Sequence, residues 1–340
     1  MTPYGSRVIK MASQTSKESL ITAKSLNKMY GPHLALDDIN LDIPPGAIGI
    51  LGPNGAGKST FFKCLLGLIK ITSGEGSVLG HDVKTEGHLI RAKIGYMPEY
   101  DSLDPGLTAI DQVRYSGELL GMNPASATQR AHEVLQYVGL KDQRYRKIET
   151  FSTGMKQAAK LACALIHDPD ILICDEPTNG LDQRAREFML QTLKKTVSEG
   201  GRSVLMSSHV MDDVEKVCDR IVMIHKGKIV LHRSIDEMVN QVEKEIEISV
   251  WGGASRMEQE LASAGLSVRR MGRNMRVTKT DAGTYTEILS TAAKANVQVR
   301  KMTDYEPDLE DIFLLIMDKL GEDVKETEAL ITPSYKGEGP

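Results

Sequence analysis

Gly52-Pro53-Asn54-Gly55-Ala56-Gly57-Lys58-Ser59-Thr60 follows the apolar run Ala47–Leu51 and leads into a helical pattern that opens near Lys58. The spacing is GxxxxGK[ST], and each position has a physical reading. The glycines let successive backbone N–H groups turn inward around an anion. The helix behind them points the positive end of its dipole at the same place. Lys58 is expected to reach the β- and γ-phosphates of a nucleotide and the Ser59 hydroxyl to ligate magnesium, with Thr60 adding a phosphate contact. The loop predicts a P-loop nucleotide site, but alone it fits GTPases, kinases and helicases equally well.

Outward from the loop, the pattern is that of an α/β protein. Two alternating segments, 21–29 and 35–43, read as strands of an antiparallel edge sheet, with Pro44, Pro45 and Gly46 as the turn after them. Downstream, strands are expected at 92–97, 171–174, 203–207 and 220–224. Helices are expected at 108–120, 124–138, from just after Ser152 to about 167, 184–198, 210–217 and 234–240. Strands alternating with helices predict a mostly parallel core sheet covered on both faces. From Glu243 the order becomes strand, helix, two strands, helix, strand, which predicts a small α+β unit of ferredoxin-like type. The expected domains are therefore 19–242 and 243–320, with a helix at 309–320. Tails at 1–18 and 321–340 are polar or rich in Gly and Pro and are read as disordered.

Bulk properties exclude several classes. The 340 residues carry a formal net charge of -4, which gives no reason to expect a nucleic acid partner. The four cysteines, Cys64, Cys163, Cys174 and Cys218, form no CxxC pair and sit in or beside apolar runs. They read as buried thiols in a reducing compartment, not as a disulfide frame or zinc site. The N-terminal stretch has no apolar core of a secretory signal, and no run is long enough to cross a bilayer, so a soluble chain is expected.

Further motifs narrow the nucleotide site. In Ile171-Leu172-Ile173-Cys174-Asp175-Glu176, four apolar residues place Asp175 at the end of a buried strand, where its carboxylate can hold magnesium. Glu176 follows and suits a general base that orients and deprotonates water. Phe151-Ser152-Thr153-Gly154-Met155-Lys156-Gln157 resembles the signature motif of the ABC ATPases. Asn179-Gly180-Leu181-Asp182 is similar to that family's D-loop, Ser207-Ser208-His209 to its switch histidine, and Tyr30 to the aromatic that stacks on adenine. The resemblance spans about 19–242. It implies a dimer around two ATP, in which Ser152, Thr153 and Gly154 of one subunit complete the γ-phosphate cage of another, with Asp182 nearby and His209 hydrogen-bonding the γ-phosphate and positioning the water of Glu176. It also implies an ATPase on the cytoplasmic face of the cell membrane, driving separate permease subunits.

The chain departs from the family pattern at Glu99, where glutamine is usual. A carboxylate can still ligate magnesium and accept a hydrogen bond from water, although it cannot donate one. Glu99 is therefore expected to act as a magnesium-linked sensor. The closing segment Asp308-Leu309-Glu310-Asp311-Ile312-Phe313 resembles that of ATPases serving exporter permeases and tips the reading toward export over import. Competing readings are a soluble ABC protein of translation or DNA repair and an inert nucleotide scaffold. The first typically needs a second module or a coiled-coil insertion. The second conflicts with the filled acid and histidine positions.

Overall fold

The computed structural model describes residues 19–241, 244–272, 274–280, 283–305 and 311. The expected terminal tails and the helix at 309–320 lie outside the described residues, Asp311 excepted. The chain divides into two compact units, with the boundary in sequence between His232 and Arg233.

The first unit begins with β1 (Ile21–Tyr30), β2 (His33–Ile43) and β3 (Ala47–Leu51), followed by α1 (Lys58–Leu65). Next come β4 (Ser73–Val78), β5 (His81–Asp82), α2 (Gly87–Lys93) and β6 (Ile94–Met97). Two helices, α3 (Ala109–Leu119) and α4 (Pro124–Tyr137), precede α5 (Thr153–Leu165). The rest of the unit is β7 (Ile171–Cys174), α6 (Gln183–Ser198), β8 (Ser203–Ser208), α7 (Met211–Val217), β9 (Arg220–His225) and β10 (Lys228–Ser234).

These strands make two sheets. The central one has the order β10-β9-β3-β8-β7-β6, in which the pairs β9–β3, β3–β8, β8–β7 and β7–β6 are parallel. Its inner strands β3 and β7 are continuous apolar runs, and all five residues of β3 and all four of β7 are buried. The carboxyl ends of β3, β7 and β8 carry the loop at 52–57, Asp175-Glu176 and His209, so three predicted site segments leave the sheet on one side. That is where ligands sit in open parallel sheets. The second sheet, β2-β1-β4-β5, is antiparallel. Between the sheets α1 buries Phe61 and Phe62 completely. Each such ring contributes about 1.5–3 kcal/mol over leaving it exposed.

Two expectations need correction. The segment 92–97 is not all strand: α2 runs through Lys93 and the strand begins at Ile94. Strands β4, β5 and β10 were not expected. Ser73-Gly74-Glu75-Gly76-Ser77 has the composition of a loop, but it pairs along β1 and brings a strand where local propensity offers none.

The second unit holds α8 (Ile235–Gln241), β11 (Glu245–Trp251), α9 (Ala254–Ser263), β12 (Val268–Met271), β13 (Asn274–Thr278), α10 (Thr284–Lys294) and β14 (Gln298–Tyr305). Its antiparallel sheet has the order β12-β13-β11-β14, the ferredoxin-like arrangement that the element order predicts. Alternation along β11 buries Ile246, Ile248 and Val250 against Met257, Leu261, Ile288 and Ala292.

Candidate active site

Gly52 leaves β3 at φ 153, a conformation in which a Cβ would stand 2.2 Å from the Ile224 carbonyl oxygen. Gly57 ends the loop at φ 112, and a Cβ there would meet the Ala35 carbonyl at 2.8 Å. Glycine is required at both positions because a side chain has neither the dihedral nor the space. Between them the loop wraps Lys58, whose residue is 6% exposed. Its ammonium donates to the Gly52 carbonyl at 2.5 Å and lies 3.1 Å from Glu176 Oε1.

Glu176 is buried and holds a left-handed φ of 49, unusual for a residue with a side chain. One hydroxyl secures it. Ser207 Oγ accepts from the Glu176 backbone N–H at 2.8 Å and donates to Asp175 Oδ1 at 2.6 Å. A single side chain on β8 thus sets the two neighbouring acids. His209 Nδ1 lies 2.9 Å from Glu176 Oε2. Burial pushes the Glu176 carboxyl up, but the His209 hydrogen bond and the Lys58 charge outweigh it and hold the group below its ordinary 4.5. The same hydrogen bond lifts His209 above its ordinary 6.5, against partial burial.

A cavity of about 490 Å³ opens over this centre, and Pro53, Asn54, Gly55, Gly57, Lys58, Ser59, Thr60, Tyr30, Glu99 and Glu176 contribute to its wall. His33, Ala35 and Tyr100, which the sequence did not single out, complete it. Tyr30 is half exposed at the rim, with the Lys28 ammonium 4.8 Å from its ring centre. Gly52 and Ala56 belong to the loop but not to the wall. Asp175 sits beneath the wall, 2% exposed. A larger hollow of about 780 Å³, near His88, Arg91, Leu119 and His167, contains none of the predicted residues.

The signature turn lies elsewhere. Ser152 caps α5, accepting from the Met155 N–H, and Asp182 caps α6 in the same way through Ala185. Thr153 and Gly154 pack beside Gly180 and Ala185 of their own chain, and none of the three signature residues reaches the cavity wall.

The donor set fits magnesium. No group of three His, Cys, Asp or Glu side chains among the described residues could cage a metal alone. Magnesium does not need one, because it is usually held by one or two carboxylates together with substrate phosphates. Ser59, Asp175 and Glu99 supply oxygen only, the donor type that magnesium takes.

Residues 36–179 match the family model described as ABC transporter. The linearmycin resistance ATP-binding protein LnrL of Bacillus subtilis is 40% identical over 212 residues, 62% of this chain and 68% of its own length. The chain belongs to the ABC transporter family. The daunorubicin/doxorubicin resistance ATP-binding protein DrrA of Streptomyces peucetius is 30% identical over 324 residues, covering 93% of this chain and 97% of its own, so the likeness runs through the second unit. A dimeric ATP-binding cassette in a post-hydrolysis state with ADP and Pi superposes with a TM-score of 0.59 at 28% identity, over 63% of this chain and 98% of that one. This ABC protein is the ATP-binding, ATP-hydrolysing subunit of a transporter. ABC cassettes dimerise and work with membrane permease subunits. Among the described residues of this one, no helix is long and apolar enough to cross a membrane.

Proposed function

We propose that two copies of this chain close around two ATP and drive an exporter permease from the cytoplasmic face of the membrane. The observation that supports this reading is a division of labour within one chain. Lys58, Glu176, Glu99 and Tyr30 share a cavity, while the Ser152–Gly154 turn is presented outside it. A triphosphate in that cavity therefore lacks its signature half until another copy provides it. Export is supported by two relatives named for resistance to linearmycin and to daunorubicin/doxorubicin.

In this reading Tyr30 stacks on adenine and residues 52–60 cradle the phosphates with backbone N–H groups. Lys58 holds the β- and γ-phosphates. Ser59, Asp175 and Glu99 would hold magnesium, which when bound supplies neutralising charge at the phosphate oxygens. Glu176 takes the proton of the attacking water, and His209, bonded to Glu176, orients it toward the γ-phosphate. The N–H groups at the α5 N-terminus of the partner copy stabilise charge on the transferring phosphoryl group. Asp182, capping α6 beside that turn, positions it.

Mixing variants tests the shared site. Lys58→Ala and Ser152→Arg chains are each expected to be inactive alone. Mixed, they regain about half of the parent rate per mixed dimer, because one composite site joins an intact loop to an intact turn. No recovery would mean that loop and turn act within one copy. The direction of transport is tested with the permease that co-purifies with this chain, reconstituted in vesicles. ATP-driven movement away from the nucleotide side is expected, and movement toward it would reverse the reading.

A further inference from the structure

Lys160 stands on α5 two turns past the Ser152 cap and is 4% exposed. An ammonium at that depth is costly unless its three donors are used. All three have partners: Nζ lies 2.7 Å from the Pro98 carbonyl oxygen, 2.9 Å from that of Glu99 and 3.3 Å from that of Tyr100. Successive carbonyls of an extended strand point to opposite sides, so three converging on one cation means that the chain leaving β6 curls around it. One turn earlier on the same helix face, Lys156 Nζ pairs with Asp101 Oδ2 at 3.0 Å. Residues 98–101 are thus tied to α5 at four consecutive positions.

This matters for Glu99 because its carboxylate has no other support. Among the described residues, no hydrogen bond or ion pair holds the Glu99 side chain, although it forms part of the nucleotide cavity. Its placement falls to the backbone, and the backbone is seated on Lys160. The lysine also brings a buried positive charge to the residue where this chain has a carboxylate in place of the family's usual glutamine.

We propose that Lys160 is the positioning residue for Glu99: it seats the 98–100 backbone so that the carboxylate faces the nucleotide, and its charge offsets the acid at that position. The inference rests on Glu99 acting on the bound nucleotide, as proposed above. Lys160 does not line the cavity, and its effect on turnover runs through the placement of residue 99. A lysine with a merely structural role would instead affect folding or nucleotide binding regardless of what stands at position 99.

The test is a two-residue cycle on the full chain, reading kcat and KM for ATP. Glu99→Ala is expected to lower kcat tenfold or more. Lys160→Met is expected to lower kcat about tenfold, with KM within about twofold, less than the roughly 10²-fold that a full ångström of misplacement can cost. The double variant should be no slower than Glu99→Ala alone, since nothing remains to be positioned. A second readout does not need turnover. In a Glu176→Gln background, which is expected to hold the ATP-bound dimer, Lys160→Met should raise the magnesium concentration for half-maximal dimer several-fold, and Glu99→Ala should mask that shift. Losses that multiply in the double variant, or a Lys160→Met rate equal to the parent's, overturn the role of Lys160 and leave that of Glu99 standing. A Glu99→Ala chain that hydrolyses at the parent rate overturns both. If Lys160→Met does not fold, Lys160→Gln carries the same cycle, because its amide keeps two of the three donors for the carbonyls while the charge is removed.

Discussion

Glu176→Gln isolates the proposed base at almost constant shape. The substitution removes a charge that lies 3.1 Å from Lys58 and 2.9 Å from His209 Nδ1, in a residue only 5% exposed. Two consequences follow. A positioned general base accelerates proton transfer by about 10²–10⁴-fold, which corresponds to about 3–5 kcal/mol of barrier, so phosphate release should fall by that factor. In the nucleotide-free protein, Lys58 keeps the Gly52 carbonyl but loses its counter-charge. Breaking one side of a buried pair costs about 3–5 kcal/mol, and a glutamine carbonyl recovers part of it, leaving a penalty of about 2 kcal/mol. At about 2–4 °C per kcal/mol, the apo variant should melt roughly 4–8 °C below the parent. ATP brings phosphates to Lys58 and should restore the melting temperature, with the variant trapped as a dimer on size exclusion. The assays are phosphate release, thermal unfolding with and without ATP, and light scattering. Turnover within about threefold of the parent would refute Glu176 as base. An apo variant as stable as the parent would refute the Lys58–Glu176 pair as a buried ion pair.

Glu99→Gln should keep hydrolysis at or above the parent rate, since the amide oxygen still ligates; a variant that binds ATP but is inert would remove Glu99 from the sensor role. Gly57→Ala should abolish ATP binding or folding, because the added Cβ meets the Ala35 carbonyl at 2.8 Å with φ at 112; binding by a folded Gly57→Ala chain, measured by fluorescent nucleotide, would contradict the loop geometry. The His209–Glu176 contact should stabilise the apo protein in a defined pH window. His209 is raised above 6.5, so its contribution is complete below 6.5 and lost as pH rises through the folded value; Glu176 is lowered below 4.5, so its contribution is complete above 4.5 and lost as pH falls through the folded value. The melting difference between parent and His209→Gln should therefore be largest between pH 4.5 and 6.5, and a difference that grows above pH 7 would contradict the pairing. Ile248→Ala, in the core of the second unit, should cost that unit about 2–5 kcal/mol while hydrolysis by the first persists, checked by calorimetry alongside phosphate release.

The parts of the site legible in the sequence are those where chemistry demands a residue type at a fixed spacing. The loop at 52–60 needs its glycines for dihedrals that no other residue adopts. Asp175-Glu176 needs a buried apolar strand to end there. The ferredoxin-like unit could be read because its alternation and turn lengths are local. What escaped was set by distant partners. Ser207 reads as one serine of a pair after a β-branched strand, and only the approach of β7 shows it holding both acids. Lys160, four residues after Lys156 on a helix, looks like a solvated lysine, and its burial depends on how 98–100 folds over α5. Tyr100 lines the cavity from the chain beyond β6 and His33 from the start of β2, and only the folded sheets bring the two together. Strand β4 was hidden because Gly74 permits close approach to β1 instead of marking a turn: a Cβ on Gly74 would lie 2.0 Å from the Ser25 carbonyl oxygen.

Charge explains how these pieces work together. Asp175, Glu176 and Glu99 surround a cavity meant for a polyanion, and three free carboxylates there would repel it. Each is treated differently: Asp175 accepts a hydrogen bond from Ser207, Glu176 is paired with Lys58 and His209, and Glu99 has its backbone carbonyl on Lys160. Of these, only the pairing of Lys58 with Glu176 competes directly with phosphate. On the proposed roles, Lys58 must turn from Glu176 to reach the nucleotide, and that move leaves Glu176 Oε1 without its cation and open to water. His209, half exposed and outside the loop, stays on the other carboxylate oxygen and keeps its orientation. The base is thus neutralised while the site is without nucleotide and exposed by the substrate itself, which ties proton abstraction to the arrival of the γ-phosphate.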